Sequence, residues 1–300
     1  MRFIFYCLSL LPFRALYCLS DFIYLFIYKV AGYRLKVVRR NLSLSFPEKS
    51  KEELRETERG FYHWLCDYFL EAIKLLSISE EEIRKRLTVK GLDKLEECFA
   101  KGQSCAAFLG HYCNWEWLSC MALFLPKDSK AGLIYHPLKN GSFDRLFNSI
   151  RSHSGGVTIP KKDILRFLSE YRKTSTKYLF GYISDQAPKY ENTHLWITFM
   201  NQETAVFTGA ERIARMEGNA VFYVEMSRPK RGYYECRFIP MSSNLEEEKP
   251  NFLTEDFFRR LEETIRREPT FYLWTHNRWK RTKEEFDRLY YIENGRVIRK

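Results

Sequence analysis

Apolar residues recur along the chain in two rhythms, and their alternation predicts the fold. Between residues 52 and 76, Phe61, Trp64, Leu65, Tyr68, Phe69 and Ala72 return every three or four positions, the spacing that lines one side of an α-helix. This aromatic stripe reads as a core face. Shorter stretches of helical period cover residues 80–86, 92–100, 115–125, 143–152, 163–172, 209–216 and 255–267. Between them lie compact apolar runs of strand length at 104–109, 132–135, 178–184, 220–226 and 233–239. Strands alternating with helices predict an α/β fold, a mixed, mainly parallel sheet flanked by helices. No internal repeat, low-complexity segment or long Gly/Ser linker interrupts the pattern.

The first thirty residues follow a different rule. Phe, Ile, Leu and Tyr dominate positions 3–30, interrupted by Pro12, Arg14, Asp21 and Lys29, and a basic run follows with Arg34, Lys36, Arg39 and Arg40. With no small-residue cleavage site after the apolar stretch, an uncleaved N-terminal membrane-anchor helix is expected. The internal charges leave two further readings: a helix lying in the interface, and a first core helix. Residues 1–45 are thus expected to form the anchor with its basic juxtamembrane segment, and residues 46–300 one catalytic domain. Basic residues beside an anchor favour the cytoplasmic face.

Composition narrows the partners. A formal charge of +11 and an aromatic share of 16% suit an anionic partner and an apolar groove or membrane interface. Nothing resembles a nucleic-acid-binding module. The eight cysteines include no C-x-x-C pair, so neither a disulfide framework nor a zinc site is expected. Arg212, Arg215, Arg278 and Lys280 read as ordinary solvated charges, with a contact to a substrate phosphate as the lesser alternative.

The stretch Gly110-His111-Tyr112-Cys113-Asn114-Trp115-Glu116 carries the candidate chemistry. An apolar strand ends at Gly110, His111 falls in the turn, Asn114 is placed to cap a helix, and Glu116 lies in its first turn. On one regular helix a spacing of five residues points two side chains apart, roughly 140° around the axis. A histidine in the turn escapes that limit, so His111 and Glu116 are expected to meet as a general base and its orienting carboxylate. The same spacing also fits a buried pair that closes a loop. Cys113 reads as packing, with nucleophile as the lesser alternative.

Further stretches add order to this motif: Tyr135-His136-Pro137 with a helix ending near Arg151, Ser184-Asp185-Gln186 after a strand, Thr208-Gly209-Ala210 opening a helix, and Leu273-Trp274-Thr275-His276-Asn277-Arg278-Trp279-Lys280. Together they resemble the lysophospholipid acyltransferase-like superfamily, and most closely the late lipid A acyltransferases that transfer lauroyl and myristoyl groups. The resemblance covers nearly the whole chain, including Asn41-Leu42-Ser43-Leu44-Ser45-Phe46-Pro47. It implies that His111 and Glu116 are the catalytic dyad, that Arg151 contacts substrate or an oxyanion or else partners Asp185, and that Asp185 is a site acid. Oxyanion donors are expected beside His111, at Gly110, or at the helix opened by Thr208 and Gly209. The resemblance further implies acyl carrier protein, or coenzyme A, as the thioester co-substrate and a hydroxyl of a lipid A precursor as glycolipid acceptor. It implies an anionic bacterial inner membrane as the location and no metal or held cofactor. Asn277 and the aromatic loop at 189–198 depart from the pattern. The alternatives are acylation of another polar lipid, such as a glycerophospholipid or aminolipid, and a non-catalytic basic membrane-binding protein.

Overall fold

The computed structural model describes residues 2–242, 245–293 and 295–300. Its strands run β1 (Leu87–Lys90), β2 (Cys105–Leu109), β3 (Lys130–Tyr135), β4 (Val157–Pro160), β5 (Tyr178–Ile183), β6 (Leu195–Phe199), β7 (Gln202–Val206), β8 (Ala220–Lys230) and β9 (Tyr233–Ser242), with a C-terminal pair β10 (Tyr290–Glu293) and β11 (Arg296–Arg299). Seven of them form the central sheet in the order β1-β9-β8-β2-β5-β3-β4. Every neighbouring pair in it is parallel except β8 with β9. The central strand β2 is buried along its whole length, which is why it reads as an unbroken apolar run and not as an alternation.

The helices are α1 (Arg2–Leu10), α2 (Phe13–Tyr24), α3 (Leu35–Ser45), α4 (Lys51–Lys74), α5 (Glu80–Arg86), α6 (Leu92–Ala100), α7 (Gly141–Ser152), α8 (Ile164–Lys173), α9 (Gly209–Glu217), α10 (Phe252–Arg267) and α11 (Lys283–Leu289). The helix expected at 115–125 is instead a 3₁₀ segment, Trp115–Leu123. Helix α4 starts at a reciprocal cap: Glu53 N–H donates to Ser50 Oγ at 3.2 Å, and Ser50 N–H to Glu53 Oε2 at 2.8 Å. Such a box satisfies two backbone donors that a helix start leaves free. Phe61, Trp64, Leu65, Tyr68 and Ala72 are buried as expected, but Phe69 is 48% exposed. The aromatic loop at 189–198 contains the 3₁₀ turn Tyr190–Asn192 and the start of β6. The β6–β7 hairpin turns through Met200 and Asn201, both at positive φ, the backbone a tight two-residue hairpin requires.

The N-terminal segment packs against α4 and the β8–β9 turn. Phe13, Leu16 and Tyr24 of α2 are buried, Ser20 Oγ donates to Asp67 Oδ1 at 2.7 Å, and Tyr17 OH donates to Glu71 Oε1 at 2.9 Å. Arg231, in the β8–β9 turn, bridges Asp21 and Asp67, both at 2.6 Å. After α2 the chain continues as a π-helical stretch, Leu25–Val30, in which Tyr28 OH donates to Glu58 Oε1 at 2.8 Å. The expected anchor is therefore not a free-standing span. Among the described residues no single helix is long and apolar enough to cross a membrane, and the candidate pair Phe13–Val30 and Leu35–Ser45 is bent by 87°.

Candidate active site

Parallel register brings the two best acid–base candidates together. Strands β2 and β5 are neighbours with Leu109 opposite Ile183, so His111 and Asp185, each two residues past its strand end, emerge side by side. Clefts beyond the C-terminal ends of parallel strands are the usual location of sites in open α/β sheets. His111 Nδ1 lies 2.6 Å from Asp185 Oδ1. Burial alone would push the Asp185 carboxyl up, but the charge and hydrogen bonds of His111 outweigh it and hold it below the ordinary carboxylate range. An ionised Asp185 accepts the proton of Nδ1–H, which fixes the tautomer and leaves Nε2 as the acceptor. Nε2 faces the Gln186 side-chain amide nitrogen at 3.2 Å.

Glu116 does not make the expected bond to His111. It is buried at 1% exposure, and Arg151, in the last turn of α7, grips it with two parallel bonds: Nη2 to Oε1 at 2.7 Å and Nε to Oε2 at 2.8 Å. Trp115 Nε1 donates to Oε1 at 3.2 Å and Tyr68 OH at 3.4 Å. Burial disfavours the Arg151 charge, but the Glu116 carboxylate more than compensates and the guanidinium is held above its ordinary range. The reading of Arg151 as a partner of Asp185 is replaced by this pairing. Trp115 packs its ring edge-on to His111, with centroids 5.0 Å apart, so the Glu116–Arg151 pair forms a wall behind Trp115. The reason is the 3₁₀ winding after Asn114, which turns Glu116 toward α4 and α7. Asn114 makes no side-chain cap bond; its Nδ2 donates to Glu71 Oε2 at 2.7 Å.

Other expected residues fall into different surroundings. Gly110 packs closely on α10: a Cβ there would lie 2.8 Å from Leu261 Cδ1, whose side chain would have to shift. Thr208 and Gly209 lie past the end of β7, and among the described residues no hydrogen bond or ion pair joins them to His111, Asp185 or Glu116. Cys113 is fully buried at positive φ, and burial pushes its thiol far above the range in which it would ionise.

The C-terminal tail, which carried part of the resemblance, supplies contacts that its residue pattern did not show. Tyr112 pairs with Tyr272 in an isolated antiparallel bridge, and Leu273 N–H donates to His111 O at 3.2 Å, so the tail fixes the turn that carries the base. Asn41 of α3 donates to the carbonyls of Trp274 and His276 at 2.8 and 2.9 Å. His276 accepts from Ala187 N–H at 3.5 Å, and burial lowers its pKa to about 4, so it is neutral at physiological pH. Arg278, expected among solvated charges, is only 3% exposed. Its Nη2 donates to Ala205 O at 2.6 Å, and burial lowers its pKa to about 10 against the pull of Tyr272 and Asp185. The cue available in the sequence was the density of Trp, His and Arg in this tail. Among the described residues no group of His, Cys, Asp or Glu is arranged to hold a metal ion.

Comparison with known proteins assigns the family. A stretch of 153 residues, 50% of this chain, is 27% identical to lipid A biosynthesis acyltransferase 2 of Shigella flexneri, and the match spans about half of that relative, 47% of its length. The family model described as bacterial lipid A biosynthesis acyltransferase matches residues 2–281, which take in the N-terminal helices, the His111–Asp185 pair, the Glu116–Arg151 pair and the tail. The chain belongs to the bacterial lipid A biosynthesis acyltransferase family.

Proposed function

We propose that this protein is a membrane-bound O-acyltransferase that moves a fatty acyl chain from an acyl carrier protein thioester to a hydroxyl of a lipid A precursor, with His111 as general base. The observation that carries this reading is the 2.6 Å contact between His111 Nδ1 and Asp185, beside the family membership of the whole catalytic region. A hydroxyl is a poor nucleophile near neutral pH. His111 Nε2 takes its proton as the oxygen attacks the thioester carbonyl, and Asp185 stabilises the imidazolium that forms, an arrangement that contributes about 10²–10⁴-fold. The acceptor oxygen forms the new C–O bond, the C–S bond breaks, and the proton held on His111 passes to the departing thiolate. Glu116 serves in this scheme by holding Arg151 and Trp115 in place behind the imidazole.

The membrane-bound reading is supported by the outer face of the N-terminal helices. Phe3, Ile4, Phe22, Phe26 and Val30 are each more than half exposed, well beyond the scattered single apolar residues of an ordinary protein surface. Arg2, Arg14, Lys29 and Arg34 lie on the same segment, the composition of a helix that sits in an anionic interface without crossing it. We place this face on the cytoplasmic side of the bacterial inner membrane. The carrier-protein reading is supported by a groove of about 380 Å³ between α3 and α4, lined by Arg39, Arg40, Lys51 and Arg55 with Glu58 as its one acid. Arg39 already neutralises Glu58 at 2.8 Å, which leaves surplus positive charge for an acidic partner.

The test is product analysis. The purified protein in detergent, given acyl carrier protein thioester and a lipid A precursor, is expected to add the mass of one acyl chain to the precursor. Acylation only of a glycerophospholipid or aminolipid would move the acceptor. No transfer to any of them would leave a basic membrane-binding protein.

A further inference from the structure

The acyl-transfer reading needs a donor for the oxygen that becomes negative as the thioester carbonyl is attacked. Three of the backbone donors around the base are already engaged. His111 N–H bonds to Asp185, Cys113 N–H donates to Phe271 O at 2.8 Å, and Ala187 N–H donates to His276 Nε2. The side-chain amide of Gln186 is differently placed. It follows Asp185 directly, and its Nε2 lies 3.2 Å from His111 Nε2, the nitrogen that must receive the proton. With the Nδ1 proton held by Asp185, His111 Nε2 carries a lone pair, and the amide N–H donates to it.

We propose that Gln186 is a further catalytic residue with two positions. In the empty site its amide caps the lone pair of His111. When the acceptor hydroxyl arrives, it displaces the amide from Nε2, and the freed N–H donates to the carbonyl oxygen of the thioester as that oxygen becomes an oxyanion. The exchange needs only a side-chain rotation, because the attacking oxygen must bond to His111 Nε2 and the carbonyl it attacks must then lie within bonding reach of that oxygen. The cap also means that His111 does not activate water efficiently until an acceptor competes for the same nitrogen, so thioester hydrolysis in the absence of acceptor stays slow.

This inference rests on the acyl-transfer reading, and its experiment separates the two. The full-length protein is assayed in detergent with carrier-protein thioester, with and without acceptor, as wild type, Gln186→Ala and Gln186→Glu. Wild-type turnover establishes the reading independently of Gln186; its absence removes the reading itself. Gln186→Ala is expected to lower kcat for transfer about 100-fold, the usual effect of losing one oxyanion donor, with KM for either substrate changed less than about threefold. Hydrolysis without acceptor should fall less than transfer does, since water attack loses the same oxyanion donor but also the cap that held water off His111. Gln186→Glu, nearly the same shape but without the N–H donor at neutral pH, should show the same loss and guards against misfolding of the smaller variant. A folded Gln186→Ala or Gln186→Glu with wild-type kcat overturns the proposal. So does a variant whose hydrolysis rises while transfer is unchanged, because the amide would then be a cap alone.

Discussion

Two carboxylates in the site have opposite assignments, and the difference lies in which cation each one meets. Asp185 faces an imidazole, a partner that gains and loses a proton, whereas Glu116 faces a permanent guanidinium. Glu116→Gln therefore removes half of a buried ion pair and leaves Arg151 without its counter-charge, which costs about 3–5 kcal/mol of stability. Adding Arg151→Met removes the stranded charge and should restore much of that loss. Urea unfolding of the two single variants and the double variant measures the coupling; additive effects would contradict a pair that acts as a unit. His276 makes a second prediction. Its pKa is about 4 in the folded protein against an ordinary value of 6.5, so the unfolded chain binds its proton first as pH falls. Its neutral burial contributes fully above pH 6.5, and the contribution is lost between there and pH 4, up to roughly 3 kcal/mol. His276→Gln should flatten the fall in unfolding free energy between pH 7 and pH 4, and an unchanged slope would remove His276 from the account.

At the level of elements, the N-terminal helices serve two surfaces at once. Their inner face supplies Tyr17 to Glu71, Ser20 to Asp67 and Tyr28 to Glu58, so deleting residues 1–30 strips partners from three buried acids on α4. Such a truncation is expected to fail to fold even in detergent. The joint change Phe22→Ser, Phe26→Ser and Val30→Ser touches only the exposed face; it should leave the thermal midpoint within about 2 °C while reducing sedimentation with anionic vesicles. Loss of folding in the triple variant, or a soluble, active truncation, would reverse the assignment. The amphipathic helices and the five long apolar strands were legible in the sequence because their burial has a clear period or an unbroken run. Strands β1 and β4, each of four residues, are too short to show one. The hairpin β6–β7 was hidden because Leu195, Trp196 and Ile197 are all half-buried, which gives no alternation. His111 and Asp185 were both singled out in the sequence, since each follows a strand run. Their pairing was not, because it depends on β2 and β5 being neighbours, a fact of sheet order 74 residues apart in the chain. The spacing of Glu116 suggested the wrong partner for the same reason: a 3₁₀ winding, unlike a strand end, leaves no mark in the hydropathy pattern.

Across the whole molecule, the site, the apolar face and the basic groove are joined by a few elements. Phe5 of α1 packs its ring 6.4 Å from Phe143 of α7, the helix that carries Arg151, so the proposed membrane face continues toward the wall of the site. Leu138 and Phe143 are exposed there, on the side from which a lipid acceptor would approach. Helix α3 has the groove on one side and, through Asn41, holds the His276 carbonyl on the other. A carrier protein seated in the groove would thus stand about one helix diameter, roughly 10 Å, from the tail that frames the base. In the proposed function this arrangement would bring an acyl donor from the aqueous side and an acceptor from the bilayer to one imidazole. That claim is tested most directly by single-turnover transfer from carrier-protein thioester to a lipid A precursor, measured for wild type, His111→Ala and Asp185→Asn at equal folded concentration. Loss of the base should lower the rate about 10²–10⁴-fold, and Asp185→Asn, which permits the wrong tautomer, should fall on the order of 10⁴-fold with the fold intact. A folded His111→Ala protein that transfers within tenfold of wild type would contradict the account.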